Sequence, residues 1–410
     1  MVAAEATWQV PEPAVYLDQW VWIRLSRAAR GRPERPEDVD VLSAVRDAAR
    51  AGVVFPLSAT HYEETLRILD PRQRDALVAV MAPISSVRTI RRHSDLVRHQ
   101  ILVALHETVG RPAFRPAQLQ VLGLGVSWAF RGVEAHLQVR GPDDAVLDVD
   151  KGWLRHANQY FEALQLAGPG DDDLPDLRRD GYRSPREIED APGSRLAWEA
   201  LLAERLAARR TKPDELRRLM LARELSHEYL DLLNAILAEY RLTLNDIAGS
   251  VDPATAQRRM VEFAERIPTM RIAAEIKTLL FRNPHRKWSH NMVRDIDAVS
   301  VAIPYCRVAV IDRDAADLAR RVGAGVRHGT TVISDLNALP PLLEELRGGP
   351  PPGRPQEGAA WDAIGPGQGF ALTWPPRLTG ADLPAGSTVR LSDPDGASSV
   401  SRISELAPDE

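Results

Sequence analysis

Two short apolar runs, AVYLD at residues 14–18 and VAVID at residues 308–312, each end in an aspartate, Asp18 and Asp312. Continuous Val/Ile/Leu runs of this length suit strands buried on both faces of a parallel sheet, and in open α/β sheets ligands collect beyond the carboxyl ends of such strands. The two carboxylates are therefore expected to reach one crevice, although most of the chain separates them. Carboxylates gathered in one place repel unless a cation or a proton lies between them. The layout is that of an acidic metal site.

The segments around these runs alternate in the same rhythm. Residues 14–110 read as AVYLD, a helix over Asp38–Arg50, a strand at GVVFPLS, and helices at His61–Leu69 and Pro71–Met81. Residues 288–347 resume with a helix at Asn291–Ile303, VAVID, a helix at Ala315–Val322, TTVIS and a closing helix at Pro341–Leu346. Alternation of this kind points to parallel βαβ units, so the two pieces are expected to be halves of one domain. Residues 111–287 between them read as a mainly helical insertion, with an exposed linker near 168–194 where Pro, Gly and acids concentrate. Residues 348–410 form a Gly/Pro-rich, low-complexity tail, either disordered or carrying a small β element around Phe370–Trp374 and Ser387–Leu391.

Composition narrows the function. A formal net charge of −5 over 410 residues excludes a protein that coats nucleic acid through general basicity, so any such contact must be local. Cys306, as the single cysteine, cannot form an internal disulfide, no charged-then-apolar leader opens the sequence, and no apolar stretch is long enough to span a membrane. A cytoplasmic protein with no membrane association is the expectation.

Each candidate acid also has a purely structural use. Asp18 could cap the helix that follows it, as aspartates after strands often do. An aspartyl-phosphate enzyme would want a second aspartate at position 20, which Trp20 occupies. Glu63 and Glu64, in PLSATHYEETLRIL, could be first-turn acids favoured by the helix dipole, with Ser58 or Thr60 as cap. Periodicity puts Glu63 closer than Glu64 to the apolar stripe of Tyr62, Leu66 and Leu69. On the late helix Asp295 shares a face with Val299 and Ala302, while Asp297 lies about 200° round beside Val301 and Pro304. Of Asp312 and Asp314, one could cap the next helix. The combination, acids at two strand ends and on two helices, is what favours a site over four coincident structural roles.

Positive charge is supplied by two stretches. One runs over Arg88, Arg91, Arg92, His93, Arg98 and His99. The other comprises Arg282, His285, Arg286, Lys287, His290 and Arg294 with Trp288 interleaved. Guanidinium and ammonium groups hold phosphates and an aromatic face stacks an unpaired base, so Arg282, Arg286, Lys287, Trp288 and Arg294, next to Asp295, are the candidate nucleic-acid contacts. His61 with Ser58 lacks the GxSxG turn of a serine hydrolase and reads as a satisfied surface or core histidine. The GLG of VLGLGVSWAF lacks the later glycine and acid of a dinucleotide site.

The succession YLD, PLSATHYEET, RDIDAVSVAIPYCRVAVIDRD and TTVISDLNAL resembles the PIN-like domain nucleases, over roughly residues 14–110 and 288–347. The resemblance implies an α/β fold: a PIN-like parallel sheet flanked by helices, here split by the helical insertion. It favours Glu64, six residues after Ser58, where periodicity favours Glu63, and it favours Asp295. Asp18, Asp295 and Asp312 are the implied metal ligands and Glu64 a ligand or the group orienting the attacking water; Glu63, Asp297 and Asp314 stand as additional acids. Two positions depart from the family pattern: Met292 stands where an acid often follows Asn291, and Arg307 where an acid often follows the Pro-Tyr-Cys.

Carboxylate ligands suit hard ions such as Mg²⁺ or Mn²⁺. The activity the resemblance implies is metal-dependent hydrolysis of phosphodiesters, with RNA the favoured substrate because the family leans that way. Met292 and Arg307 keep open a degraded PIN-like module that binds nucleic acid or acts as a scaffold without turnover, and the same acids could serve a small-molecule phosphohydrolase. A homo-oligomer or an inhibitory protein partner also remains open.

Overall fold

The computed structural model describes residues 8–141, 143–149, 151–171, 174–179, 183–184, 187, 195–207, 211–249, 252–283, 286–347, 388–392 and 398–402. The protein is a mixed α/β structure made mostly of helices. Its described strands are β1 (Val15–Leu17), β2 (Arg88–Ile90), β3 (Leu122–Leu124), β4 (His136–Arg140), β5 (Val308–Val310), β6 (Thr331–Ile333), β7 (Thr388–Ser392) and β8 (Ser398–Arg402). The chain divides into two compact units, Met1–Tyr16 with Arg92–Val121 and Arg186–Asp335, and Leu17–Arg91 with Leu122–Pro185 and Leu336–Glu410. These boundaries fall elsewhere than at residues 110 and 287: the helices over 195–281 share a unit with β5 and β6, whereas 122–185 do not.

The first unit is organised on a three-stranded sheet in the order β1-β5-β6. Its strands come from the apolar runs VAVID and TTVIS and from Ala14–Tyr16 of AVYLD. Strands β5 and β6 are parallel, Val308 opposite Thr331 and Val310 opposite Ile333. The Arg307 and Val308 N–H groups both donate to Ala14 O, so the residue before β1 meets the residue before β5 and these two strands also run in the same direction. Every residue of β5 is buried, which is why its sequence shows no polar alternation.

Helices pack a second layer of this unit. Met220, Leu233, Phe263 and Met270, from four helical segments between residues 213 and 281, share a core with Val97 and Ile101 of the helix His93–Val109. Gln100, fully buried, locks that helix to two others: it accepts the Thr269 N–H at 3.0 Å and donates to Thr269 Oγ1 at 2.8 Å and Tyr305 Oη at 2.7 Å. Tyr305 ends the helix His290–Tyr305, which carries Asp295. Cys306 follows, 1% exposed, and burial pushes its thiol up to about 12, so it is the inert core thiol its context suggests.

In the second unit, helices Gln19–Ala29, Asp38–Arg50, Ala59–Leu66 and Pro71–Ser85 surround Trp22, Leu25 and Met81. Strands β2 and β3 form an antiparallel pair, and β4, β7 and β8 an antiparallel three-stranded sheet. Strand β7 realises the β element expected at Ser387–Leu391; Phe370–Trp374 lie outside the described residues. GVVFPLS does not form the strand its composition suggests. Leu57 instead makes an isolated parallel bridge to Thr89, its N–H donating to Arg88 O and its carbonyl accepting the Ile90 N–H, and Val54 forms a separate isolated bridge.

The GLG segment has a packing explanation. A Cβ at Gly123 would sit inside the Trp128 ring, and one at Gly125, which has φ +76°, would sit inside the Glu162 carboxylate. Gly123 is required by the close approach of the Trp128 ring and Gly125 by its positive φ, neither by a phosphate.

Candidate functional site

Asp18 follows β1 directly, and its Oδ1 accepts the Gln19 N–H at 2.8 Å, capping the helix Gln19–Ala29. Asp312 stands two residues beyond β5, and its Oδ1 accepts the Ala315 N–H at 2.9 Å, capping Arg313–Arg321. Both are half-buried. The structural role and the strand-end position coincide in each: capping engages one carboxylate oxygen and turns the chain sharply at the sheet's edge.

Within the second unit, the segment bearing Asp18 is pinned to the helix Ala59–Leu66 on both sides. His61 Nε2 lies 2.7 Å from Leu17 O, and Gln19 Nε2 donates to Thr65 Oγ1 at 3.1 Å. The Ser58 N–H donates to His61 Nδ1 at 2.9 Å, so the ring proton is on Nε2 and faces Leu17 O. His61 is thus a satisfied histidine as expected, and the structure puts it in the core, where it completes a capping box with Ser58. It also orders the two acids beyond. His61 and Thr65 define the helix face turned to Asp18; at ~100° per residue Glu64 lies about 80° from the centre of that face and Glu63 opposite it. Glu64 rather than Glu63 borders the Asp18 segment.

Two buried titratable groups of this unit respond to pH in opposite directions. Burial lowers His61 to about 4, against the bond to Leu17 O. Burial raises Glu162, 1% exposed, to about 7, against the 2.8 Å bond from the Val126 N–H. For Glu162, whose folded value lies above its ordinary 4.5, stability is present at low pH and lost as pH rises towards 7; for His61, below its ordinary 6.5, stability is present above 6.5 and lost as pH falls towards 4. Each amounts to about 3 kcal/mol, so the two largely offset each other. Glu162→Gln keeps the acceptor for Val126 and removes the charge. The variant is expected to gain about 3 kcal/mol at pH 8, little at pH 4, and to show an acid-side loss from His61 that the parent masks; urea midpoints across pH 4–8 measure this.

The other acids belong to the first unit, each with different company. Both terminal nitrogens of Arg195 grip Asp297, at 2.5 and 3.0 Å. Burial opposes ionisation of Asp297, but Arg195 holds its carboxyl below the usual range. Asp297 therefore serves an ion pair, with Arg195 also 3.4 Å from Glu228. Asp314, 77% exposed, pairs with Arg286 at 3.0 Å. Asp295 is half-buried on the face that carries Val299 and Ala302, both in the core, as its periodicity indicates. Among the described residues no group of three or more His, Cys, Asp or Glu side chains is disposed to hold a metal ion. The all-carboxylate donor chemistry of Asp18, Glu64, Asp295 and Asp312 is nevertheless that of a hard divalent cation.

The basic residues separate into different roles. Arg294 is 7% exposed and donates to Asn291 Oδ1, which takes it off the surface. Trp288 packs on Phe281 with ring centroids 4.8 Å apart. Arg282 and Lys287 are exposed, and Arg282 has no side-chain hydrogen bond or ion pair among the described residues. Arg282, Asn283 and Arg286 line a pocket of about 300 Å³ with Arg321, which the sequence offers no local reason to single out. In the earlier stretch, Arg98 pairs with Glu239, Arg92 pairs with Asp95 at 2.6 Å and Arg91 lies over the Trp128 ring at 4.3 Å, so these cations are engaged within the protein.

Compared with models of protein families, with curated proteins and with solved structures, the chain matches none.

Proposed function

We propose that the protein is a metal-dependent nuclease of the PIN-like kind, most readily a ribonuclease, with Asp18, Asp295 and Asp312 as ligands of Mg²⁺ or Mn²⁺ and Glu64 as a further ligand or the group orienting the attacking water. The observation that carries this reading is an aspartate following each of two neighbouring strands that run in the same direction, since beyond the carboxyl ends of such strands is where α/β sheets bind ligands. The pinning of the Glu64 helix to the Asp18 segment supports it. When bound, the ion would supply Lewis acidity and a water acidic enough to attack at neutral pH. The chain's own contribution is to hold its acids on capped, pinned segments, which limits how far each carboxylate can wander.

One departure from the family pattern bears less on these acids than its position in the sequence suggests. Arg307 is exposed at the start of β5, and five residues at about 3.3 Å each separate it from Asp312, roughly 16 Å along the chain direction. Its charge enters the sheet at the end opposite the strand-end acid.

The test is a fluorescent single-stranded RNA incubated with the full chain in EDTA, Mg²⁺ or Mn²⁺, alongside single-stranded DNA and a nitrophenyl phosphate. Cleavage of RNA only in the presence of metal is the expected result. Binding without metal-dependent cleavage would transfer the protein to the non-catalytic reading, and turnover of the small ester alone would make it a phosphohydrolase.

A further inference from the structure

We infer that the pocket between the end of the helix Pro268–Phe281 and the helix Arg313–Arg321 is a nucleotide site, which seats a phosphate on Arg282, Arg286 and Arg321 and the attached ribose or base on its apolar floor. The inference deepens the nuclease reading, on which it rests for the identity of the ligand. The pocket holds about 300 Å³, the lower end of what small-ligand sites occupy. Leu279, Leu280 and Leu318 form its apolar part.

Three guanidiniums converge there from segments almost forty residues apart in sequence. Cations are favoured at helix C-termini in any case, and Arg282 and Arg321 stand at two of them. Compensation of the dipoles leaves two things unexplained. The first is a concavity between the helices rather than packed side chains. The second is an excess of positive charge among the described residues: Arg286 is balanced by Asp314, which is 77% exposed, Arg321 by Asp317 at 3.6 Å, an exposed pair of the kind that contributes little, and Arg282 by no counter-ion. A planar, multiply donating guanidinium is well matched to phosphate oxygens.

The position is suggestive for the same reason. Leu318 of the pocket lies six residues, or about 9 Å of helix axis, from Asp312 at the other end of that helix. A strand seated in the pocket by one phosphate would lie within a few nucleotides of the strand-end acid.

The experiment measures binding in EDTA, where cleavage cannot interfere. Fluorescence anisotropy of a labelled single-stranded RNA decamer is recorded over a salt series for the parent chain and the Arg282→Ala/Arg321→Ala variant, with adenosine monophosphate and inorganic phosphate as competitors. Removing two phosphate contacts is expected to weaken RNA binding by about ten-fold or more and to flatten the slope of log K against log salt by about 1.4. Competition by the mononucleotide would assign the site to free nucleotides as well as to RNA; competition by neither would restrict it to the strand. Both side chains are exposed, so the thermal midpoint should hold, and Arg282→Glu/Arg321→Glu should deepen the loss. Unchanged affinity and slope in both variants, or no RNA binding by the parent, overturns the inference. Metal-dependent cleavage is scored separately, so loss of the nuclease reading and loss of the pocket are distinguishable.

Discussion

The Asp18→Asn variant is expected to lose metal-dependent RNA cleavage by at least about 100-fold, since even the partners of metal ligands cost 10–100-fold when replaced, while its thermal midpoint stays within a few degrees of the parent. The two halves of this expectation have separate causes. Asparagine caps a helix as well as aspartate does, so the bond from the Gln19 N–H survives the change. What is removed is the negative charge, which a divalent ion needs and a helix cap does not. Asp18→Ala removes both and should lose about 1 kcal/mol of stability in addition. Asp312→Asn makes the same comparison at the second strand end, where the bond from the Ala315 N–H is retained. Full cleavage by either asparagine variant in Mn²⁺ would remove that aspartate from the proposed site.

Asp18 and Asp312 show what a single sequence discloses and what it conceals. The strands of AVYLD and VAVID were legible because residues buried on both faces leave no polar alternation, that of TTVIS because its residues are β-branched although Thr331 is exposed, and the two helix caps because an aspartate after such a strand has few other local uses. GVVFPLS has the same apolar content and yet pairs through isolated bridges at Val54 and Leu57, because composition says nothing about which partner edge is within reach. Periodicity favours Glu63, yet the face turned to Asp18 is the one Glu64 borders. The discriminating contacts, His61 to Leu17 and Gln19 to Thr65, join segments more than forty residues apart. Asp297 illustrates the same limit from the other side: its neighbour Arg195 lies about a hundred residues upstream, and nothing local marks the acid as already neutralised. Arg321 was passed over for the same reason, since its pocket exists only where two helices meet.

The largest stability effect is expected at a cluster with no sequence signature. Lys277 is completely buried and donates to Glu224 Oε1 at 2.6 Å and Glu199 Oε1 at 2.9 Å, while Arg223 lies 2.8 Å from Glu199 and 3.6 Å from Glu224. Two carboxylates and two cations thus neutralise one another between the helices Arg195–Ala207, Pro213–Arg223 and Pro268–Phe281 and a single π-helical turn, Glu224–Glu228. Such a turn costs regular hydrogen-bond geometry and persists where side-chain contacts over-determine it. Lys277→Met keeps a flexible chain of similar length but leaves two buried carboxylates to share Arg223. Breaking one partner out of a buried network costs about 3–5 kcal/mol. The sign of its pH dependence follows from Glu224. Burial raises that carboxyl and Lys277 pulls it back, so removing Lys277 lifts it further. A group whose folded pKa rises contributes stability at low pH that is lost as pH climbs, so the urea midpoint of Lys277→Met should fall further below the parent at pH 8 than at pH 5. Lys277→Met/Glu224→Gln, which withdraws one charge of each sign, should recover much of the loss at pH 8. An equal deficit at both pH values, with no recovery in the double variant, would mean that the lysine's methylenes rather than its charge hold these helices together.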